Sequence, residues 1–288
     1  MNFFSSLIAR FFILLFALVP FWLIYVFADL FYFIFYKVLK YRLNTVRDNL
    51  RISFPEKSQE ELKRIEKLSY QNLAEITVEG LKAFTMSKKQ IFARHKVINE
   101  NEISHIYEDC SGIIVLTGHY GNWEWGAMSC MQLKWPGIAL YKPLSNSYLD
   151  NYLCRNRSRF GTELVSIYDT ARSFISFKDK KMNFIMASDQ SPSNANKSIW
   201  VSFLGRESAF LHGPETYSKK YNYPTVFVDI QRVRKGFYEL ELTVLTKEPQ
   251  ETKDGEITQT FANKLEEVIR KKPEDWLWSH KRWKLSRN

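Results

Sequence analysis

The segment GIIVLTGHYGNWEW, residues 112–125, joins an apolar run directly to a polar, glycine-bearing turn. The apolar run predicts a strand over residues 112–117, and helix-like sequence begins at Trp123. Between them, Gly118 and Gly121 indicate a turn that ends near Asn122. The segment therefore predicts a strand–turn–helix unit of an α/β sheet, with His119 near the strand end.

Strand-like and helix-like patterns alternate through the rest of the chain, which predicts a sheet with helices on its faces. The predicted strands cover residues 112–117, 137–141, 164–167, 183–187, 199–203, 225–232 and 239–246. The predicted helices cover residues 60–84, 123–132, 148–159, 170–178, 214–221 and 257–271. The last two strands are joined by the short stretch RKGF, residues 234–237, and predict a hairpin. The fold class is thus α/β with a mixed central sheet, in one domain over residues 41–288.

An apolar segment at the N-terminus predicts a membrane anchor over residues 1–40. No residue between Phe11 and Ala28 is charged, and a run of this length is long enough to span a bilayer. Pro20 allows a kink, and Asp29 with its bulky neighbours does not fit the cleavage site of a signal peptide. An in-plane helix is the alternative, since Asp29 is costly inside a bilayer.

The charge distribution indicates the orientation and the class of partner. Basic residues follow the anchor, which places the bulk of the chain in the cytoplasm; these are Lys37, Lys40, Arg42, Arg47 and Arg51. The net charge of +10 comes with no nucleic-acid-binding motif, so it favours a membrane surface and acidic partners over nucleic acid. The three cysteines form no metal-ligand pattern, which predicts reduced thiols and no metal site.

His119 and Glu124 are candidates for an acid–base pair. Residues five apart on one helix diverge by roughly 140°, so only a turn can bring these two side chains together. A carboxylate beside an imidazole fixes its tautomer and stabilises its protonated form, as a general base requires. The alternative is a loop histidine beside a glutamate that favours a helix N-terminus.

Polar residues also follow two other predicted strands. Lys142 comes after the strand 137–141, and Asp189 with Gln190 comes after the strand 183–187. Ligand crevices of open α/β sheets lie at the carboxyl ends of strands, so we expect these groups to converge with His119. Taken singly, Lys142 is explained as a solvated loop residue and Asp189 as a turn residue.

Five blocks in order resemble the lipid A late (secondary) acyltransferases, a family of lauroyl and myristoyl acyltransferases. The resemblance runs nearly end to end and is carried by residues 47–56 (RDNLRISFPE), 118–124 (GHYGNWE), 141–143 (YKP) with Arg157 to Arg159, 189–190 (DQ), and 273–284 (PEDWLWSHKRWK). The block at 118–124 matches the family's catalytic motif almost letter for letter.

The resemblance implies transfer of an acyl group from an acyl thioester, on acyl carrier protein or coenzyme A, to a hydroxyl of a lipid A precursor. It implies that His119 is the base and Glu124 its orienting partner, with no resident cofactor. It further implies substrate-binding roles for Asn122, Lys142, Arg157, Arg159, Asp189 and Gln190. A bacterial inner-membrane location follows from the same resemblance, whereas no feature of the sequence specifies an oligomeric state.

Two departures from the family pattern bear on the acceptor. Lys142 stands where the family commonly has arginine, so a bidentate fork becomes a point charge. Residues 191–194, SPSN, also differ from the usual continuation. An acyltransferase acting on another membrane glycolipid, phospholipid or aminolipid is therefore the alternative, and a non-catalytic, membrane-tethered binding protein is a third hypothesis. The tetrahedral oxyanion needs a donor, for which a backbone N–H near Gly121 or the side chain of Arg159 is a candidate.

Overall fold

The structure, a computed structural model, describes residues 2–178 and 180–287. Its helices are α1 (Asn2–Leu18), α2 (Phe21–Tyr32), α3 (Leu43–Ser53), α4 (Gln59–Lys82), α5 (Lys88–Arg94), α6 (Gly126–Ser129), α7 (Ser147–Ser158), α8 (Thr170–Phe177), α9 (Gly213–Tyr221) and α10 (Glu256–Lys271). Its strands are β1 (His95–Val97), β2 (Gly112–Thr117), β3 (Gly137–Tyr141), β4 (Glu163–Ser166), β5 (Met182–Ala187), β6 (Ser198–Phe203), β7 (Arg206–Leu211), β8 (Thr225–Arg234) and β9 (Phe237–Thr246).

Seven strands form one mixed sheet in the order β1-β9-β8-β2-β5-β3-β4. Strands β2, β5, β3 and β4 run parallel to one another, whereas β8 and β9 form an antiparallel hairpin. The predicted fold class, a mixed central sheet flanked by helices, is confirmed. Because β2, β5 and β3 are neighbours and parallel, the loops after them meet at one edge of the sheet.

The side chains of β2 point alternately into two apolar clusters, one on each face of the sheet. Ile114 and Leu116 pack in a cluster with Phe261 of α10, while Ile113 and Val115 pack in a second cluster with Ile91 of α5. Successive side chains of a strand point to opposite faces, so an uninterrupted apolar run is stable only between two helical layers. The central strand is therefore buried and rigid, and it places His119 at a fixed point.

The N-terminal segment differs from the single anchor helix that the sequence predicts. Pro20 ends α1 and begins α2, because proline has no N–H to donate and its ring clashes with the preceding helical turn. A π-helix, Phe33–Val38, continues α2. The combined stretch Phe21–Val38 is long and apolar enough to cross a membrane, whereas α1 contributes a shorter apolar helix.

Two other predictions need correction. Residues 123–132 form three short turns of 3-10 and α-helix instead of one helix, beginning at Asn122, whose side chain caps the first turn. The strand predicted at 199–203 forms, but it pairs with β7 in a separate two-stranded sheet and packs on α10. The remaining predicted helices and strands are present with ends shifted by a few residues.

Candidate active site

His119 and Asp189 meet at the ends of the neighbouring strands β2 and β5. The Nδ1 atom of His119 lies 2.6 Å from Oδ1 of Asp189, and the backbone N–H of His119 donates to Oδ2 of the same carboxylate at 2.8 Å. The indole N–H of Trp276 also donates to Oδ2, at 2.8 Å. The carboxylate is 3% exposed and the imidazole 18%, so the pair is open to substrate on the histidine side.

The opposite charges of Asp189 and protonated His119 stabilise each other. Burial acts to raise the pKa of Asp189, but the charge of His119 and the bonds from His119 and Trp276 lower it to about 2. Burial acts to lower the pKa of His119, and Asp189 and Glu124 outweigh that effect, so the pKa is raised. Asp189 is therefore ionised, and an ionised carboxylate only accepts hydrogen bonds. It follows that Nδ1 of His119 carries the proton.

With the proton on Nδ1, the Nε2 atom of His119 has a free lone pair. The side-chain nitrogen of Gln190 lies 3.1 Å from Nε2 and donates to it. This is the geometry of an imidazole prepared to take a proton from a ligand at Nε2, with its tautomer fixed by a carboxylate behind it. The amide of Gln190 marks the position that such a ligand would occupy.

Glu124 does not orient His119, and the predicted pairing of these two side chains is wrong. The carboxylate of Glu124 instead forms an ion pair with Arg157 of α7, with 2.6 Å between Oε2 and Nη2. Glu124 still raises the pKa of His119 through its charge. The error arose because the orienting carboxylate comes from a distant strand, 70 residues further along the chain, whose end lies beside β2 only in the folded sheet.

Asn122 is a structural residue and not an exposed substrate ligand. It is fully buried; its Nδ2 donates to Glu79 at 2.6 Å, and its Oδ1 accepts from the backbone N–H of Trp125. The predicted substrate-binding role of Asn122 is therefore corrected. The residue fixes the turn between His119 and Glu124 onto α4.

Glu79 of α4 is the buried acceptor that holds this turn. Its carboxylate also accepts the hydroxyls of Tyr25 from α2 and Tyr238 from β9, at 2.9 and 2.7 Å. Burial raises the pKa of Glu79, an effect that the charge of Arg232 and the three donors oppose. One carboxylate thus joins the N-terminal helix, the sheet and the turn of the active site.

In the described part of the chain, neither Arg159 nor Lys142 bonds to His119 or Asp189. The guanidinium of Arg159 donates to the backbone oxygens of Ala83 and Met86, at 2.6 and 2.5 Å, and its substrate-binding role stays a prediction. Lys142 is exposed at the end of β3. Strand β3 is the neighbour of β5, which Asp189 follows, and a role for Lys142 at the site stays a prediction.

The C-terminal segment is part of the site, a role that the sequence did not reveal. Leu277 donates its backbone N–H to the carbonyl of His119, and Gly121 donates to that of Asp275. The Nε2 atom of His280 accepts the backbone N–H of Ser191, which holds the loop after Asp189. The aromatic and basic residues at 276–283, which belong to the last block of the family resemblance, were the available signal. It is a structural clamp over both catalytic loops.

Gly121 is required at its position. Its φ is +57°, and an added Cβ would lie 2.2 Å from the carbonyl oxygen of Ile230. Only glycine adopts this left-handed conformation readily and leaves room for the neighbouring strand. Its N–H is bonded to the carbonyl of Asp275, so this group is already engaged and cannot donate freely to an oxyanion.

An apolar groove of about 290 Å³ lies between α4 and α7 and contains the Glu124–Arg157 pair. Trp123, whose ring centroid is 5.5 Å from that of His119, forms part of its wall. The other lining residues are mainly aliphatic or small: Leu73, Ile76, Thr77, Gly80, Leu81, Ala83, Phe84, Met128, Leu153 and Asn156. The groove can take a chain of methylene groups beside the imidazole. Within residues 2–178 and 180–287, no group of three or more His, Cys, Asp or Glu residues could hold a metal ion.

Fold and site together define an α/β protein with a histidine–aspartate pair beside an apolar groove. A family model described as bacterial lipid A biosynthesis acyltransferase matches residues 2–285. The chain is 24% identical over 248 residues to a lipid A biosynthesis palmitoleoyltransferase of Escherichia coli K12, covering 85% of this chain and 80% of that protein. It is 22% identical over 252 residues to a lipid A biosynthesis lauroyltransferase of the same organism, covering 86% and 81%. The chain belongs to the bacterial lipid A biosynthesis acyltransferase family.

Asp189→Asn tests the histidine–carboxylate pair. Removing the negative charge destabilises the imidazolium and lowers the pKa of His119. The base must be neutral to act, so the acid limb of the pH profile of kcat/KM should move to lower pH. The rate on the plateau should fall about 10²–10⁴-fold because the imidazole loses its fixed tautomer. An acid limb that stays in place would show that another group titrates.

Glu124→Gln, Arg157→Gln and the double variant test the groove pair. If Glu124 acts by holding Arg157 in place, each single change should lower kcat on the order of 10²-fold. The double variant should then lose little more than either single variant, because the two residues act as one unit. Steady-state kinetics with a fixed acyl donor provide the measurement. Fully additive losses would indicate independent roles.

Proposed function

We propose that the protein transfers a fatty acyl chain from an acyl thioester to a hydroxyl of a lipid A precursor at the cytoplasmic surface of the bacterial inner membrane. The observation that carries the proposal is the Nδ1-protonated imidazole of His119, held by buried Asp189, beside an apolar groove. Membership of the lipid A acyltransferase family supports the acceptor class.

His119 acts as the general base. Its Nε2 takes the proton of the acceptor hydroxyl, in place of the bond from Gln190, while the hydroxyl oxygen attacks the thioester carbonyl carbon. The tetrahedral intermediate collapses as the carbon–sulfur bond breaks, and the leaving thiolate takes the proton back from the imidazolium. A thioester is already activated, so no covalent enzyme intermediate is needed. Asp189 stabilises the imidazolium throughout.

Arg157 is the donor that we assign to the developing oxyanion. A guanidinium has five N–H groups, and the ion pair with Glu124 uses one of them. Arg157 lines the groove, whereas Arg159 is not one of its lining residues and the N–H of Gly121 is bonded to Asp275. A fixed positive charge beside the reacting carbonyl is an effective stabiliser of an oxyanion.

The acyl donor is proposed to be carried by acyl carrier protein, with coenzyme A as the alternative carrier. The net charge of +10 and the exposed Lys142 at the sheet edge favour an acidic partner through faster encounter. The single lysine at position 142, where the family commonly has arginine, also supports a second candidate acceptor, another membrane glycolipid, phospholipid or aminolipid. A product assay with each acceptor separates these candidates.

His119→Ala is the direct test of the proposal. Purified enzyme with a lipid A precursor and a panel of acyl donors should give an acylated product by mass spectrometry. The variant should lose about 10²–10⁴-fold in kcat, the usual contribution of a general base. His105→Ala is the matched control, because His105 is an exposed histidine outside the site and its loss should leave turnover unchanged. Full activity in His119→Ala would contradict the assignment.

Leu153 tests whether the groove holds the acyl chain. Leu153→Phe narrows the groove and should shift preference toward shorter acyl donors, while Leu153→Ala should shift it toward longer ones. Each methylene that leaves water contributes about 0.8 kcal/mol, so a change of two methylenes corresponds to a discrimination of roughly tenfold. Competition between donors of different length, read as kcat/KM ratios, provides the measurement. Equal ratios in all three proteins would place the chain elsewhere.

A further inference from the structure

We propose that residues 2–38 form a monotopic platform, in which α1 and α2 lie in the plane of the cytoplasmic leaflet and neither crosses the bilayer. The inference deepens the proposed function, because it states how the enzyme reaches an acceptor that stays in the membrane. It is carried by the contacts of α1 and α2 with the catalytic domain and by the side chains that they leave exposed.

The first observation is that α2 packs lengthwise and antiparallel along α4. The ring of Phe21 lies near Lys82, the hydroxyl of Tyr25 bonds to Glu79, and the hydroxyl of Tyr36 bonds to Glu66 at 2.7 Å. Between Phe21 and Tyr36 the helical rise covers about 22 Å, so the contact extends along nearly the whole apolar stretch. Ile24 and Ala28 are buried in this contact.

The second observation is that charged side chains of the catalytic domain lie beside the N-terminal end of α2. The guanidinium of Arg94 lies 3.7 Å from the ring centroid of Phe21, and the ammonium of Lys235 lies 5.5 Å from that of Tyr25. Arg94 belongs to α5, and Lys235 belongs to the turn between β8 and β9. If α2 spanned the bilayer with the domain in the cytoplasm, this end would lie at the far leaflet. The segments packed on this end, which are α5, the β8–β9 turn and the end of α4, would then lie within the hydrocarbon core. Their charged side chains make that placement energetically costly.

The third observation is that α1 is also attached along its length. Arg10 donates to the backbone carbonyl of Tyr148 on α7 at 2.6 Å. Near the other end of α1, the carbonyl of Ala17 accepts from Lys82 and Thr85. These bonds hold α1 against both α4 and α7, so α1 does not project from the domain as a separate span would.

The outer faces of both helices are exposed and apolar, except for the exposed carboxylate of Asp29 on α2. On α1 the exposed large apolar side chains are Phe3, Phe4, Leu7, Ile8, Phe11, Phe12, Leu14, Leu15 and Leu18, and on α2 and its extension they are Trp22, Val26, Leu30, Phe33 and Val38. A continuous patch of this size is untenable in water and marks a membrane contact. The exposed Lys37, Lys40 and Arg42 follow it and suit anionic headgroups.

The platform lies beside the apolar groove. The groove is walled by α4 and α7, and α1 contacts both of these helices. Phe84 of the groove wall stacks on Tyr152, and Tyr152 in turn lies under the guanidinium of Arg10. A lipid chain therefore enters the groove from the leaflet along α1, and the acceptor does not leave the membrane.

Depth measurements on the full-length protein test the platform. Single nitroxide labels are placed at Phe4, Phe11 and Leu18 on α1 and at Trp22, Val26 and Leu30 on α2, all of which are exposed. The background carries Cys110→Ala, Cys130→Ala and Cys154→Ala, and the vesicles contain phosphatidylethanolamine and phosphatidylglycerol. Glu267→Cys, on the exposed side of α10, provides the aqueous control.

All six labels should report similar shallow depths, about 5–10 Å below the headgroups. A span would instead place the middle of the helical stretch near the bilayer centre, about 15 Å down: Leu30 in the stretch Phe21–Val38, with Trp22 and Val26 progressively shallower, or Phe11 in α1. That pattern in either helix would overturn the proposal. The result is independent of acyl transfer, so an inactive enzyme with six shallow labels would contradict the proposed function and leave the platform intact.

Discussion

The structure of the site depends on one buried carboxylate, that of Asp189. It accepts two hydrogen bonds from His119 and one from Trp276, and so ties together the loop after β2, the loop after β5 and the C-terminal segment. A buried carboxylate is stable only when donors replace its lost water. These three bonds offset the cost of burying the carboxylate, and the one to Nδ1 also fixes the tautomer of the imidazole. The same carboxylate therefore stabilises the fold and sets the protonation of His119.

A second buried carboxylate, that of Glu79, connects the N-terminal helix to the turn after His119. Glu79 accepts from Tyr25 of α2, from Tyr238 of the sheet and from Asn122 of the turn after the histidine. Truncating any of these donors would leave buried polar groups unpaired, a costly state. The N-terminal helix α2 is thus joined to the turn after His119 by two hydrogen bonds through one side chain, which fixes the position of this turn relative to α2.

Local sequence patterns predicted most helices and strands correctly, but they did not predict which side chains contact each other. The strand 112–117 and the helix near 60–84 follow from apolar periodicity, which is a property of neighbouring residues. The pairing of His119 with Glu124 was wrong because proximity in the chain is weak evidence when a turn intervenes. Likewise Asn122 and Arg159 belong to blocks that resemble family motifs, and the structure shows partners that these motifs did not predict. Asn122 donates to the buried carboxylate of Glu79, and Arg159 donates to a backbone carbonyl.

By itself, the sequence determined the fold class, the strand that ends at His119 and the apolar N-terminal segment. These are decided by composition and period within short windows, so they can be read without the rest of the chain. The tertiary structure alone decided that Asp189 supports the histidine, that Glu124 pairs with Arg157 and that α2 lies along α4. The physical reason is that each of these contacts joins segments brought together only by sheet order and helix packing, which no local pattern encodes.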